Sequence, residues 1–298
     1  MPKISNITKK QHYIPQVYLR GFSPEYRKNN KDVDLSKYTI YCYDLNERKQ
    51  INKPIPIKSI CYSDYLYEVT GHDGQIVHIN HIEKCFSNIE KKFGYYRCEL
   101  EKKAFIEDNL KTKCFLTSDE KIFWIFYILL QKLRIPRVLE GAEDVSFDIW
   151  GDKINAKQAK NIARKFCLPF LGQKENSKEM AIFKALCDPM ENMSFGVGID
   201  MQERLITSDN PVFIHSKNFP CEEYGIIIFP ISSKMCLYLF GKDYKKNYPK
   251  NFLFEISDAD REEIFKSMTA ASINKIFSNH LLDRKEKRFI EEVLKKER

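Results

Sequence analysis

The nine residues Ile122–Leu130, IFWIFYILL, form the longest apolar run of the chain and constrain its fold most strongly. Thr117-Ser118-Asp119-Glu120 stands just before them with the spacing of a capping box, in which two side chains satisfy free N–H groups at a helix start. The pattern predicts a helix over Lys121–Leu133, ended or kinked by Pro136. A helix that is apolar nearly all round is buried, not amphipathic. It is also far too short to span a bilayer, which takes about 20 apolar residues.

The surrounding pattern supplies elements to cover it. Between Asn80 and about Lys103, Ile82, Phe86, Ile89, Phe93, Tyr96 and Leu100 recur at alternating spacings of four and three, which predicts an amphipathic helix. Glu83 and Glu90 share a second stripe beside that face. Asn155–Phe166 and Ser177–Leu186 read as two more helices. Strands are expected at Ser194–Ile199, Arg204–Thr207, Val212–His215, Tyr224–Phe229 and Lys234–Phe240, and their short connections imply an antiparallel meander. Asp258 to about His280 reads as a helix, and Asp283–Arg298 as a charged terminal one. Upstream, Tyr38–Leu45 and Ile55–Ile60 are expected strands around an Asn46–Arg48 turn. Asp73-Gly74 suggests a hairpin between Tyr65–Val69 and Ile76–Ile79. The expected architecture is a single α+β domain over residues 1–298, a helical central region packed with a C-terminal antiparallel sheet. Its sub-regions would be 1–80, 81–190 and 191–298.

Charge is unevenly placed. The formal net charge is +8, and residues 1–60 hold 12 Lys and Arg against 5 Asp and Glu. Lysines and arginines neutralise phosphates and aromatic rings stack on bases, so this basic, tyrosine-bearing segment suits nucleic acid. Lys9, Lys10, Tyr13, Tyr18 and Arg20 are the candidate contacts; a solvated lysine-rich surface is the alternative. The nine cysteines include no C-x-x-C pair, which argues against a zinc site or a disulfide scaffold. The polar stretch Met1 to Gln11 does not read as a signal peptide, so the expectation is a reduced, cytoplasmic protein without a membrane span. No phosphate-binding glycine loop, G-x-G-x-x-G or G-x-S-x-G is present, which argues against nucleotide-hydrolysing motors, dinucleotide oxidoreductases and serine hydrolases.

Chemistry concentrates in three motifs. In Gln11-His12-Tyr13-Ile14-Pro15-Gln16-Val17-Tyr18-Leu19-Arg20-Gly21-Phe22, proline at a first helical position favours a short helix that ends near Gly21. His12 then lies just outside the helix start and Gln16 in its first turn, where free N–H groups attract anions. His12 can move a proton near neutral pH, with Gln16 positioning a substrate; alternatively, both satisfy local backbone. Gln131 and Arg134 lie one turn apart at the end of the buried helix. A buried arginine needs a carboxylate or a bound anion, so Arg134 either pairs with Glu83 or Glu90 or binds phosphate. Ser208-Asp209-Asn210-Pro211 reads as a turn, with Asp209 as a base or metal ligand and Asn210 as a substrate contact in the competing reading. A divalent metal is a candidate cofactor, although His78, His81 and Glu83 lack the spacing of a zinc site.

HYIPQVYLRGF, Gln131-x-x-Arg134-x-Pro136, Ser208-Asp209-Asn210-Pro211 and Phe229-Pro230 together resemble the bacterial family catalogued as domain of unknown function 4238, over about Gln11 to Phe277. Some of its members look like single-gene antiviral defence proteins. The resemblance implies an anti-phage protein, and with the charge and motifs the expectation is a nuclease-type effector acting on RNA or DNA. Its candidate catalytic residues are His12, Gln16, Gln131, Arg134, Asp209 and Asn210. The rival expectation is a non-enzymatic sensor, triggered for example by a phage protein, in which the motifs form a structural polar core.

Overall fold

In the computed structural model the described residues are 8–26, 34–70, 76–77, 80–106, 116–136, 190–215, 225–242 and 251–296. The helices expected at Asn155–Phe166 and Ser177–Leu186 lie outside them.

The apolar run folds as expected. Helix α3 (Ser118–Leu133) follows α1 (Gln16–Leu19) and α2 (His81–Ile106) in the chain. The Thr117 side chain accepts from the Glu120 N–H, and the Glu120 carboxylate accepts from the Thr117 N–H at 2.7 Å, closing the capping box. Residues Phe123 to Leu130 are all buried. The α2 stripe is buried too, with only Tyr96 partly open.

Strands β1 (Lys10–His12), β2 (Thr39–Asp44), β3 (Lys49–Pro56), β4 (Tyr62–Asp64), β5 (Val69–Thr70) and β6 (Ile76–Val77) precede α2. After α3 come β7 (Ser194–Ile199), β8 (Thr207–Ser208), β9 (Phe213–His215), β10 (Ile226–Pro230), β11 (Met235–Phe240) and β12 (Phe252–Glu255). Helix α4 (Asp258–Ala271), β13 (Lys275–Ser278) and helix α5 (Arg284–Lys296) end the fold.

The largest sheet has the order β12-β7-β11-β10-β9. Because side chains alternate along a strand, its two faces feed different cores. Phe195, Val197, Phe229, Leu237 and Leu239 pack in one core with Phe93, Trp124 and Tyr127 of α2 and α3. Ile228, Cys236, Tyr238 and Phe240 pack in a second core with Ile264, Phe265, Met268, Phe289 and Ile290 of α4 and α5. The sheet therefore lies between two helical layers, and the protein is α+β as its pattern implies.

Three expectations are corrected. The C-terminal strands are not a simple meander: β12 runs parallel to β7, and β8 joins a separate four-stranded sheet of order β3-β2-β13-β8. The helix expected from Asp258 to His280 stops at Ala271, because Ser272 turns extended (φ −61°, ψ 148°) and residues 275–278 pair with β2 and β8. The strand expected at Ile55–Ile60 occupies Lys49–Pro56 instead, with a 3-10 turn at Ile57–Ser59. Of the strands expected at Tyr65–Val69 and Ile76–Ile79, the described residues show antiparallel pairing of β5 with β6 over two residues each, with a turn at Tyr65–Tyr67; Asp73-Gly74 lies outside the described residues.

Candidate functional site

The opening motif is fixed to the rest of the protein through its backbone. Gln11 is fully buried; its amide donates to Glu68 (2.8 Å) and its carbonyl accepts from the Tyr67 N–H (2.6 Å). The His12 carbonyl accepts from Tyr67 Oη (2.9 Å) and Arg134 Nη2 (2.8 Å). Gln131 donates to the Tyr13 carbonyl (2.9 Å), and Arg97 to the Val17 carbonyl (2.9 Å). Gly21 permits a close approach: a Cβ there would lie 2.9 Å from the Ile231 carbonyl oxygen, at the turn between β10 and β11.

With the backbone held, side chains at four-residue spacing project to one side. His12, Gln16 and Arg20 line a cleft of about 370 Å³, faced across it by Glu83, Ser87, Glu90 and Lys91 of α2. The i, i+4, i+7 and i+8 positions of those four residues share one helix face. Pro15 is the residue before α1 rather than its first, and the helix is a single turn of four residues. The cleft is thus formed by side chains, not by a helix terminus.

Burial governs the electrostatics of this cleft. It pushes the Glu83 carboxyl up to about 7; Glu90 and Glu68 add to that push, and Arg134 opposes it. Burial lowers the His12 imidazole to about 4, with the Arg134 and Lys10 charges adding to the effect and a hydrogen bond to the Lys58 carbonyl opposing it. At pH 7, then, His12 is neutral and Glu83 is near half-protonation. The Gln16 amide nitrogen is 3.5 Å from His12 Nε2. Burial also lowers Arg20 from its usual value, although it stays protonated. Arg20 Nε and Glu83 Oε2 are buried and have no hydrogen-bond partner among the described residues. Such groups are uncommon in folded proteins and call for an explanation.

Arg134 takes up the pairing expected for a buried guanidinium. It is 1% exposed, bonds Glu90 Oε1 at 3.0 Å and Tyr67 Oη at 3.2 Å, and lies 4.2 Å from the Phe86 ring centroid. Burial raises Glu90 even so, with Arg134 pulling the other way. Arg134 and Gln131 sit behind the cleft; they hold the His12 and Tyr13 carbonyls and do not line it.

Asp209 is placed elsewhere. Its carboxylate accepts from Ser272 Oγ (2.9 Å), the Ile273 N–H (2.8 Å) and the Asn274 N–H (2.9 Å), and so ties down the link from α4 to β13. Asn210 donates to the Ala271 carbonyl at 2.7 Å. Neither residue lines the His12 cleft. One candidate nucleic-acid contact is corrected: Tyr18 is 0% exposed, stacks on Phe229, donates to the Pro230 carbonyl (2.7 Å) and lies 2.6 Å from Thr207 Oγ1. No base can reach that ring. Lys9 and Lys10 are exposed, Lys10 lying over the Tyr62 ring at 4.4 Å, whereas Tyr13 is half-buried. No group of three or more His, Cys, Asp or Glu with metal-binding geometry occurs among the described residues, and His78 lies outside them. No helix among the described residues is long and apolar enough to cross a membrane.

Sequence reasoning did not single out Arg97, Tyr67 and Glu68. Tyr67 and Arg97 hold the His12 and Val17 carbonyls and Glu68 holds the Gln11 side-chain amide, all more than fifty positions away, and a lone arginine, tyrosine or glutamate carries no signal of that.

The fold and the cleft define an α+β protein with a half-buried acid–imidazole site at the junction of its N-terminal motif and a central helix. The chain belongs to the family described as protein of unknown function (DUF4238), which matches residues 10–280. No match was found among curated proteins or solved structures.

Proposed function

We propose that the His12 cleft is an acid–base site acting on nucleic acid, and that the protein is a nuclease-type effector of bacterial antiviral defence. One observation carries this reading: a carboxyl that titrates near neutrality, with a free buried oxygen, shares a cleft with a neutral imidazole and an arginine that has a free donor. Perturbed pairs of this kind are typical of groups that exchange protons during turnover. Glu83 gives or takes the proton at the reacting oxygen. His12, fixed through its carbonyl by Arg134 and Tyr67, supplies one donor and one acceptor nitrogen. Arg20 and Lys91 balance phosphate charge, as preorganised cations do in phosphoryl chemistry. Lys9, Lys10 and Tyr62 extend the basic surface beyond the cleft, in the segment that holds most of the chain's excess charge. The defence setting rests on the likeness of some family members to single-gene antiviral proteins.

A second reading has its own support. Arg134, Gln131 and Asp209 are all buried and committed to backbone groups, as expected of a structural polar core in a sensor. Incubating the purified protein with labelled RNA and DNA, with and without divalent metal, separates the two. Cleavage that is lost in both His12→Ala and Glu83→Gln supports the effector. Cleavage that persists in both, or its complete absence beside specific binding of a phage protein, supports the sensor.

A further inference from the structure

A second pocket, of about 320 Å³, lies where two of the motifs meet, and nothing in the acid–base reading uses it. Lys132, the residue after Gln131, reaches into it. Its ammonium lies 3.3 Å from the Val212 carbonyl and 3.5 Å from Asn210 Oδ1, both neutral oxygens. No carboxylate among the described residues compensates it. Asp209, the acid next to Asn210, is turned away to Ser272, Ile273 and Asn274. Burial alone lowers the Lys132 amine to about 8. A buried ammonium without a counter-charge is costly, and an anion arriving in the pocket would relieve that cost.

We propose that this pocket binds a small organic carboxylate whose apolar body fills the pocket while its charged group pairs with Lys132. The walls decide between carboxylate and phosphate. Ile135, Val212, Phe213, Ile214 and Ile273 form an apolar wall that makes up half of the lining. The side-chain donors beside Lys132 are already engaged: Asn210 Nδ2 bonds the Ala271 carbonyl, and Ser272 Oγ bonds Asp209 and the Lys275 carbonyl. A phosphate needs several free donors, whereas a carboxylate with an apolar tail matches one cation beside an apolar wall.

The test uses the full chain and four probes: acetate, isovalerate, benzoate and inorganic phosphate. An N-hydroxysuccinimide acetate reagent at pH 7.5 acylates neutral amines, and peptide mass spectrometry reads Lys132 against the exposed Lys37. Pairing with a carboxylate raises the Lys132 pKa, and each unit slows its acylation about tenfold. Isovalerate or benzoate is expected to slow Lys132 at least several-fold without slowing Lys37, acetate less so, and phosphate not at all. If no carboxylate slows Lys132 relative to Lys37, or if phosphate does so as well as benzoate, the proposal is overturned. A benzoate-induced rise in Tm that disappears in Lys132→Met supports it, and one that survives the substitution overturns it. These readouts do not depend on nucleic-acid cleavage, so they stand apart from the activity of the His12 cleft.

Discussion

Glu83→Gln should make the protein more stable above neutral pH and leave it unchanged in acid. A carboxyl raised from its usual 4.5 to about 7 binds more protons folded than unfolded between those two values. Stability therefore falls as pH rises from about 4.5 to 7 and levels off above. The displacement corresponds to at most about 3 kcal/mol, since each pKa unit is worth about 1.4 kcal/mol. Glutamine keeps the shape and the hydrogen-bonding capacity but cannot ionise. The gain should be near zero at pH 4.5, grow through pH 6 and reach up to about 3 kcal/mol at pH 8. Urea unfolding followed by tryptophan fluorescence, for both proteins at each pH, measures it, because other titrating groups cancel in the difference. A variant equally stable at pH 8, or less stable, would refute the argument that the fold holds this carboxyl under stress. His12 runs in the opposite sense. An imidazole lowered from 6.5 to about 4 adds stability that is fully present above about 6.5 and lost as pH falls through that window.

Other outcomes follow from the brace behind the cleft. Arg134→Met leaves Glu90 without its cation and the His12 carbonyl short of a donor, and should cost about 3–5 kcal/mol in urea unfolding. Adding Glu90→Gln should recover part of that loss; a double variant no better than the single one would deny the pairing. Gly21→Ala puts a Cβ 2.8 Å from Arg97 Nη1 and 2.9 Å from a backbone carbonyl, and should cost about 1–3 kcal/mol by the same assay.

What could be read in advance was what short-range pattern encodes. The α2 stripe, the Thr117 capping box and the buried α3 are local signals, and each formed where expected. That a buried Arg134 needs a carboxylate or a bound anion also follows from the cost of burying a guanidinium, and of the two the structure supplies a carboxylate, Glu90. By contrast, β13 is four residues, KIFS, on the heels of a helix. Its extended state comes from pairing with Tyr41–Asp44, more than two hundred residues earlier, and no local propensity carries that. The cleft was half legible. His12, Gln16 and Arg20 share a spacing of four, and Glu83 and Glu90 share a stripe. That the two sets face each other depends on β1 pairing with β4 and on Arg97 and Arg134 holding the motif's carbonyls. Asp209 was unreadable for a similar reason: the N–H groups it accepts from lie more than sixty residues away.

The most direct test of the central claim is the pH profile of nucleic-acid cleavage by the wild-type chain beside Glu83→Gln, with urea unfolding confirming that the variant is folded. The account predicts a rate that inflects near pH 7 in the wild type and a variant that loses cleavage while gaining stability. A variant that cleaves with an unchanged profile would contradict it.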